Sequence, residues 1–239
     1  MVGGLDVQAV GPAEVAWRAR TGALPTWHVP RDVHAVVVSP HPDDETLGLG
    51  GTLRRLVAAG GHLELLSVTD GEASHPHAPG VAARRRDELS AALTALGVAQ
   101  ATRIRPLGLP DGQVAAHRAS LAATLQALPV ADATRWFSPV ADDGHPDHDA
   151  VGEVVTDVAA RRRIELLRFP VWAWQWHDPE TSTLLDGARR VPLSAANLDA
   201  KRAAVAAHAS QMATWAGSPP IVPAHVRSRL LRDHEVVLT

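Results

Sequence analysis

The chain has no cysteine and no tyrosine, and lysine occurs once in its 239 residues, at Lys201. Without cysteine there is no disulfide and no thiolate metal site, so any metal must take nitrogen and oxygen ligands. Absence of cysteine suits a cytosolic protein, which is the location we expect. No apolar run approaches the ~18 residues of a membrane span. The N-terminus lacks the basic and continuous apolar regions of a signal peptide. The formal net charge is −3. Nucleic-acid binders usually carry a basic face, so nucleic acid is not the expected partner. There is no Gly-x-Ser-x-Gly elbow, which argues against a serine hydrolase. Gly48-Leu49-Gly50-Gly51 suggests a dinucleotide fingerprint, but Leu53 stands where the third glycine belongs. Those glycines fall inside a helical stretch, so they point to close packing of that helix on a sheet.

What is present is ordinary for a soluble globular protein: 46% hydrophobic and 21% charged residues. The length suffices for one sizeable α/β core. Val33-His34-Ala35-Val36-Val37-Val38 reads as a buried strand. Further strands are expected at 62–69, 102–107, 134–138, 164–171 and, more weakly, 189–193. Helices are expected around 13–20 and over 46–60, 82–96, 113–128, 149–161 and 195–212, with an irregular tail after Pro219. Strands and helices thus alternate at roughly 30-residue intervals, the signature of βαβ units and a mostly parallel sheet. Residues 1–32 read as an N-terminal extension packed on the domain, and 33–239 as a single α/β domain with helices on both faces of the sheet.

Two polar blocks carry the chemistry. Ser39-Pro40-His41-Pro42-Asp43-Asp44-Glu45-Thr46 follows the first strand, and Gly144-His145-Pro146-Asp147-His148-Asp149 follows the fourth. Carboxyl ends of strands are where open α/β sheets bind ligands. Alone, Asp43-Asp44-Glu45 is an acidic first turn complementing a helix dipole, and His-Pro-Asp-His is a polar loop. Together they supply a divalent-metal site. His41 and Asp44, three apart, can converge on one point, and His148 is the third candidate ligand. Two histidines, one carboxylate and an open position form the usual pattern of catalytic Zn²⁺. The same donors also accept Fe²⁺, Co²⁺ or Ni²⁺. Asp43, beside the ligand Asp44, is the candidate general base. His145 is the candidate donor to a developing oxyanion. Asp147 is placed to orient a ligand histidine.

These two blocks resemble the LmbE-like, PIG-L-type deacetylase family, whose members include N-acetylglucosaminyl-phosphatidylinositol deacetylases and glycopeptide-antibiotic deacetylases. The resemblance extends to Thr69-Asp70-Gly71-Glu72, to Arg85 with Glu88 and Gly97, and to Leu107-Gly108-Leu109-Pro110-Asp111-Gly112. It ends with Lys201, His208 and Ser210-Gln211, and so covers about 33–212. It implies a Rossmann-like sheet, Zn²⁺ on His41, Asp44 and His148, and Asp43 as base. It further implies that Arg85 and Asp111 contact sugar hydroxyls, and it raises a supporting role behind the ligands for His208. The implied substrate is a small N-acetylglucosamine-type amino sugar. One departure stands out: some members place tyrosine two residues before the first histidine of the second block, and here that position is Asp143. An anionic side chain cannot donate a hydrogen bond to an oxyanion.

Two other readings remain at this point. One is an amidase for a larger acylated natural product or thiol conjugate; the other is a metal-binding protein without turnover. Trp172, Trp174 and Trp176 alternate, so on a continued strand they would share one face, as a core cluster or a sugar-stacking wall. His75 and His77 are expected to be exposed loop residues.

Overall fold

The computed structural model describes residues 6–239. In chain order its elements are α1 (Glu14–Gly22), β1 (His34–Ser39), α2 (Asp44–Ala58), β2 (His62–Ser67), α3 (Val81–Leu96) and β3 (Thr102–Pro106). There follow α4 (Arg118–Gln126), β4 (Thr134–Pro139), α5 (Pro146–Arg162), β5 (Glu165–Phe169), α6 (Ala173–Trp176) and β6 (Ala188–Pro192). The chain closes with α7 (Ala195–Ala207), α8 (Ala209–Met212), α9 (Ala224–Leu230) and β7 (His234–Leu238).

β1 has no polar face along Ala35-Val36-Val37-Val38, so it takes an interior place. Val36 and Val38 enter the core on one side, Ala35 and Val37 the core on the other. The seven strands run in the order β3-β2-β1-β4-β5-β7-β6. Strands β1 to β5 pair in parallel, and β7 runs antiparallel to both β5 and β6. Leucines of α2 and α3 cover the face of Ala35 and Val37, while α4 and α5 cover the face of Val36 and Val38. The architecture is therefore a single α/β domain with a mostly parallel sheet and helices on both faces. From β1 the chain winds outward through β2 to β3, then returns past β1 to β4. The connections leaving β1 and β4 diverge, which opens a crevice at their carboxyl ends.

Gly48 and Gly51 let α2 approach the sheet. A Cβ at Gly48 would stand 2.3 Å from Phe169, and one at Gly51 would stand 2.5 Å from Leu193. The extension is tied to the C-terminal half. Trp17 is buried edge-on to Trp174, with ring centroids 5.0 Å apart, and Thr26 bridges to Arg190. Residues 1–5 of the expected extension lie outside the described residues. No helix among the described residues is long and apolar enough to cross a membrane.

Several expectations need correction. The tail after Pro219 is not irregular: it forms α9 and then β7, whose five residues are all buried. Sequence pattern hides β7 because His234 and Glu235 look solvated, yet Glu235 is buried against Lys201. The helix expected over 195–212 breaks at His208, between α7 and α8. The helix expected from 149 begins at Pro146, with the His145 side chain as its cap. The stretch 113–128 starts with a 3₁₀ turn, Val114–His117, before α4. The tryptophans do not share a strand face. The amides of Val171, Trp172 and Ala173 all donate to the Asp143 carboxylate, at 2.9, 3.0 and 2.9 Å, and the chain turns into α6. Trp174 then faces Trp17, and Trp176 stacks on Trp172. His75 is buried, not exposed, with its ring edge-on to Trp215.

Candidate metal centre

Asp44 opens α2 directly after the turn from β1, and its Oδ2 accepts the His41 amide at 2.9 Å. That turn aims the His41 ring and the Asp44 carboxylate at one point. His148 arrives from the first turn of α5. His41 Nδ1 lies 3.2 Å from Asp44 Oδ2 and 3.2 Å from His148 Nε2, and His148 Nε2 lies 3.1 Å from Asp44 Oδ2. All three side chains are buried.

The far side of each ring meets acceptors. His148 Nδ1 is 2.7 Å from Asp143 Oδ2. His41 Nε2 is 3.0 Å from Asp111 Oδ1 and 3.3 Å from Asp147 Oδ2. Carboxylates accept, so those nitrogens keep their protons, and the nitrogens facing inward are the ones that can turn lone pairs to a cation. Two lone pairs and a carboxylate oxygen then surround one point. Edges of 3.1–3.2 Å approach the ~3.3 Å edge of a tetrahedron with metal bonds of about 2.0–2.1 Å. The donor set therefore fits a dication such as Zn²⁺. Charge agrees with geometry. Burial pulls the His148 imidazole down, but Asp44 and Asp143 outweigh it and lift the ring to about 9. A field that holds a proton so firmly also holds a cation. A second grouping, His41 with His145 and Asp147, is less apt. His145 Nδ1 accepts the Asp147 amide, and the Asp147 oxygens accept the amides of Gly112 and Val114.

Beside this point lies a cavity of about 500 Å³ lined by His41, Asp43, Asp44, Arg85, Asp111 and His145 among others. Burial pushes the Asp43 carboxyl up to about 6; Arg85 pulls against it and Asp44 reinforces it. Arg85 Nη2 is 3.1 Å from Asp43 Oδ1. Because His145 Nδ1 is occupied as acceptor, Nε2 carries the proton. Burial, with His148 and His41 nearby, holds the His145 ring neutral by pushing its pKa far down. Glu45 turns away from the cavity: Ser39 Oγ donates to it at 3.0 Å and Thr46 Oγ1 at 2.6 Å.

The structure thus gathers His41, Asp43, Asp44, His145 and His148 around one cavity, with Arg85 and Asp111 in its wall. Arg85 does not pair with Glu88; that carboxylate takes Arg84 and Ser210. Asp111 faces the back of His41 as well as the cavity. Asp147 Oδ2 lies behind the His41 ring, 3.3 Å from its Nε2. His208 makes no hydrogen bond to a ligand side chain; its Nε2 lies 3.3 Å from Thr46 Oγ1 and its Nδ1 has no partner among the described residues. Sequence reasoning missed Asp143 as the residue orienting His148. Its signal was a carboxylate five residues before the ligand, just ahead of the helix start.

A family model described as GlcNAc-PI de-N-acetylase, of the PIG-L type, matches residues 36–159. Over 81 residues the chain is 42% identical to a 1D-myo-inositol 2-acetamido-2-deoxy-α-D-glucopyranoside deacetylase of Segniliparus rotundus, a match covering 29% of this chain and 26% of that protein. The chain spans about a quarter of the length of the curated relatives it matches. Among solved structures, a conserved protein of Thermus thermophilus superposes with a TM-score of 0.58 at 29% identity, over 74% of this chain and 79% of that one. An N,N′-diacetylchitobiose deacetylase from Pyrococcus horikoshii shares the fold at 18% identity and a TM-score of 0.57, over 86% and 82% of the two chains. The family model covers more than half of this chain, from β1 into α5, and contains both histidine blocks. The chain belongs to the PIG-L family of GlcNAc-PI de-N-acetylase type.

Proposed function

We propose that the protein is a zinc-dependent N-deacetylase that removes the acetyl group from an N-acetylglucosamine-type amino sugar. One observation carries this reading: His41, Asp44 and His148 converge on a point in the wall of the cavity that also presents Asp43 and the Nε2–H of His145. Fe²⁺, Co²⁺ or Ni²⁺ would suit the same donors. A dication held there supplies Lewis acidity, activating water at neutral pH and polarising a carbonyl.

The chain's own groups supply the rest. Asp43 takes a proton from the attacking water, and burial sets its carboxyl near the range where a base works best. Arg85 holds that carboxylate in place. The His145 Nε2–H donates to the amide oxygen as it gains charge. Asp43 then passes its proton to the departing nitrogen. A C–O bond has formed and the C–N bond has broken, leaving acetate and the free amine. Asp143 and Asp147 keep the histidine rings in register. Arg85 and Asp111, both in the cavity wall, are placed to meet sugar hydroxyls.

Acetate release from a panel of N-acetyl amino sugars, with metal content measured in parallel, tests the reading; no release from any member sinks it. Asp43→Asn is expected to keep its metal and lose about 10²–10⁴-fold in kcat. His148→Ala is expected to lose the metal itself. Undiminished turnover in Asp43→Asn would remove the base assignment.

A further inference from the structure

The cavity beside the metal centre has two unlike walls. One is polar, with Asp43, Arg85, Asp111 and His145. The other is apolar, with Val7, Leu47, Trp172 and Ile221. Leu47 belongs to α2, close to the centre. Val7, Trp172 and Ile221 all come from outside the segment 36–159 that the family model matches. Three of the four residues of this wall therefore lie outside the part of the chain that the family model matches.

It is also a built feature. Val7 lies in the N-terminal segment yet is only 6% exposed. Gln8 Nε2 donates to Pro220 O at 2.9 Å, one residue from Ile221. Gln175 Nε2 donates to Ala9 O at 2.5 Å, and Arg229 Nε donates to Pro12 O at 2.8 Å. Gly11 comes so close that a Cβ there would stand 2.4 Å from Gln175 O. Four of the five residues from Gln8 to Pro12 thus meet the C-terminal half, with Val10 alone left exposed, and this draws Val7 and Ile221 to one rim. Trp172 is held by the hydrogen bond that its backbone N–H donates to Asp143, the carboxylate that also meets His148 Nδ1.

An unadorned N-acetyl hexose offers this wall only a ring C–H face for Trp172 and a single methyl group, and leaves Val7 and Ile221 without an apolar partner. The volume of about 500 Å³ falls in the range that encloses larger ligands, about 300–1,000 Å³. We propose that the substrate is an amino sugar bearing an apolar substituent, seated against Val7, Trp172 and Ile221. The substituent is either an alkyl or aryl group on the anomeric oxygen or an extended N-acyl chain. The proposal rests on the deacetylase reading, and its test separates the two.

Binding of the deacetylated products reads the wall without turnover. On the metal-loaded enzyme, calorimetry should give a Kd for hexyl β-glucosaminide about tenfold or more below that of methyl β-glucosaminide, from burial of the added methylenes. The N-acyl arm compares kcat/KM for methyl glycosides of N-hexanoyl- and N-acetylglucosamine, and the series that gains identifies the position of the apolar group. Gain in neither series overturns the proposal. Val7→Ser and Ile221→Ser, tested separately, are each expected to shrink the gain to about threefold or less as the wall turns polar. An undiminished gain in both folded variants overturns the placement. Acetate release from the methyl glycoside of N-acetylglucosamine reports on deacetylation itself. Its absence alongside a hexyl preference would defeat that reading while leaving the wall standing.

Discussion

Helix α2 touches two buried polar clusters of opposite design. At its first residue, His41, Asp44 and His148 bring two imidazole nitrogens and a carboxylate oxygen within 3.1–3.2 Å of one another. In its middle, Glu235 meets Lys201 Nζ at 2.6 Å. The same carboxylate accepts the amides of Gly51 and Thr52 at 2.8 and 2.7 Å, and the Thr52 hydroxyl at 2.6 Å. The second cluster is closed: its charges cancel and both carboxylate oxygens are satisfied. The first is open, because its three inward atoms all suit a cation and the charge that balances Asp44 there is an exchangeable proton on His148. Both clusters are buried, so burial alone does not mark function. What marks it is a cluster whose inward atoms are all metal donors converging on one point.

The largest effect should come from breaking the closed cluster on its acidic side. Glu235→Leu leaves the Lys201 ammonium buried without its partner and strips the acceptor from Gly51 and Thr52. Removing one partner of a buried pair typically costs about 3–5 kcal/mol. Lys201→Met should cost less, because Glu235 keeps three other donors, and the lost charge-assisted bond is worth roughly 1.5–3 kcal/mol. Denaturant unfolding of both variants checks the order, and a Lys201→Met cost equal to or above that of Glu235→Leu would contradict it. Neither change should alter metal affinity in the folded protein, since neither residue touches a ligand.

The open cluster is expected to respond in the reverse sense. Asp143→Asn keeps the shape of the residue but weakens the acceptor on His148 Nδ1, now 2.7 Å away. Loss of such a supporting contact usually lowers metal affinity by about 10–100-fold. Competition with a chromophoric chelator measures it. If affinity is unchanged, the 2.7 Å contact does not tune the ligand. If Glu235→Leu weakens metal binding as much as Asp143→Asn does, the two clusters are not separate.

The two clusters also differ in how far sequence reveals them. The open one sits in contiguous blocks, each just past a strand, so the spacing of His41 to Asp44 and of His145 to His148 already suggests convergence at the carboxyl ends of neighbouring strands. The parallel half of the sheet was legible for the same reason: β1, β2 and β4 carry short apolar cores, Val36-Val37-Val38, Leu65-Leu66 and Trp136-Phe137, each followed by a polar turn. The closed cluster is scattered over Gly51, Thr52, Lys201 and Glu235, and no local pattern links them. β7 went unrecognised with it, because a buried strand that carries His234 and Glu235 imitates a solvated one. Asp143 was visible, but only as the residue in the tyrosine position. Only the turn of Trp172 into α6 shows that its carboxylate faces inward, toward three amides and His148.

His208 lies between the clusters and supplies the smallest test. It is buried, its Nε2 is 3.3 Å from Thr46 Oγ1, and its Nδ1 has no hydrogen-bond partner. Unlike His41 and His148, it has no carboxylate at either nitrogen. Burial, with the Arg85 charge adding to it, pushes its pKa down to about 3. The folded protein therefore keeps this ring neutral well below pH 6.5, where the unfolded chain takes up a proton. Between those two values the unfolded state binds more protons, so stability falls as pH falls. The slope from one group is at most about 1.4 kcal/mol per pH unit. His208→Gln keeps a polar group toward Thr46 and cannot titrate. Denaturant midpoints of metal-free protein, taken from about pH 7 down to about pH 5, should therefore decline less steeply in His208→Gln than in the parent. Equal slopes would mean that the ring gains a proton in the folded state as readily as in the unfolded one. His208 would then resemble the carboxylate-backed histidines of the metal centre, and the contrast between the two environments would be lost at this residue.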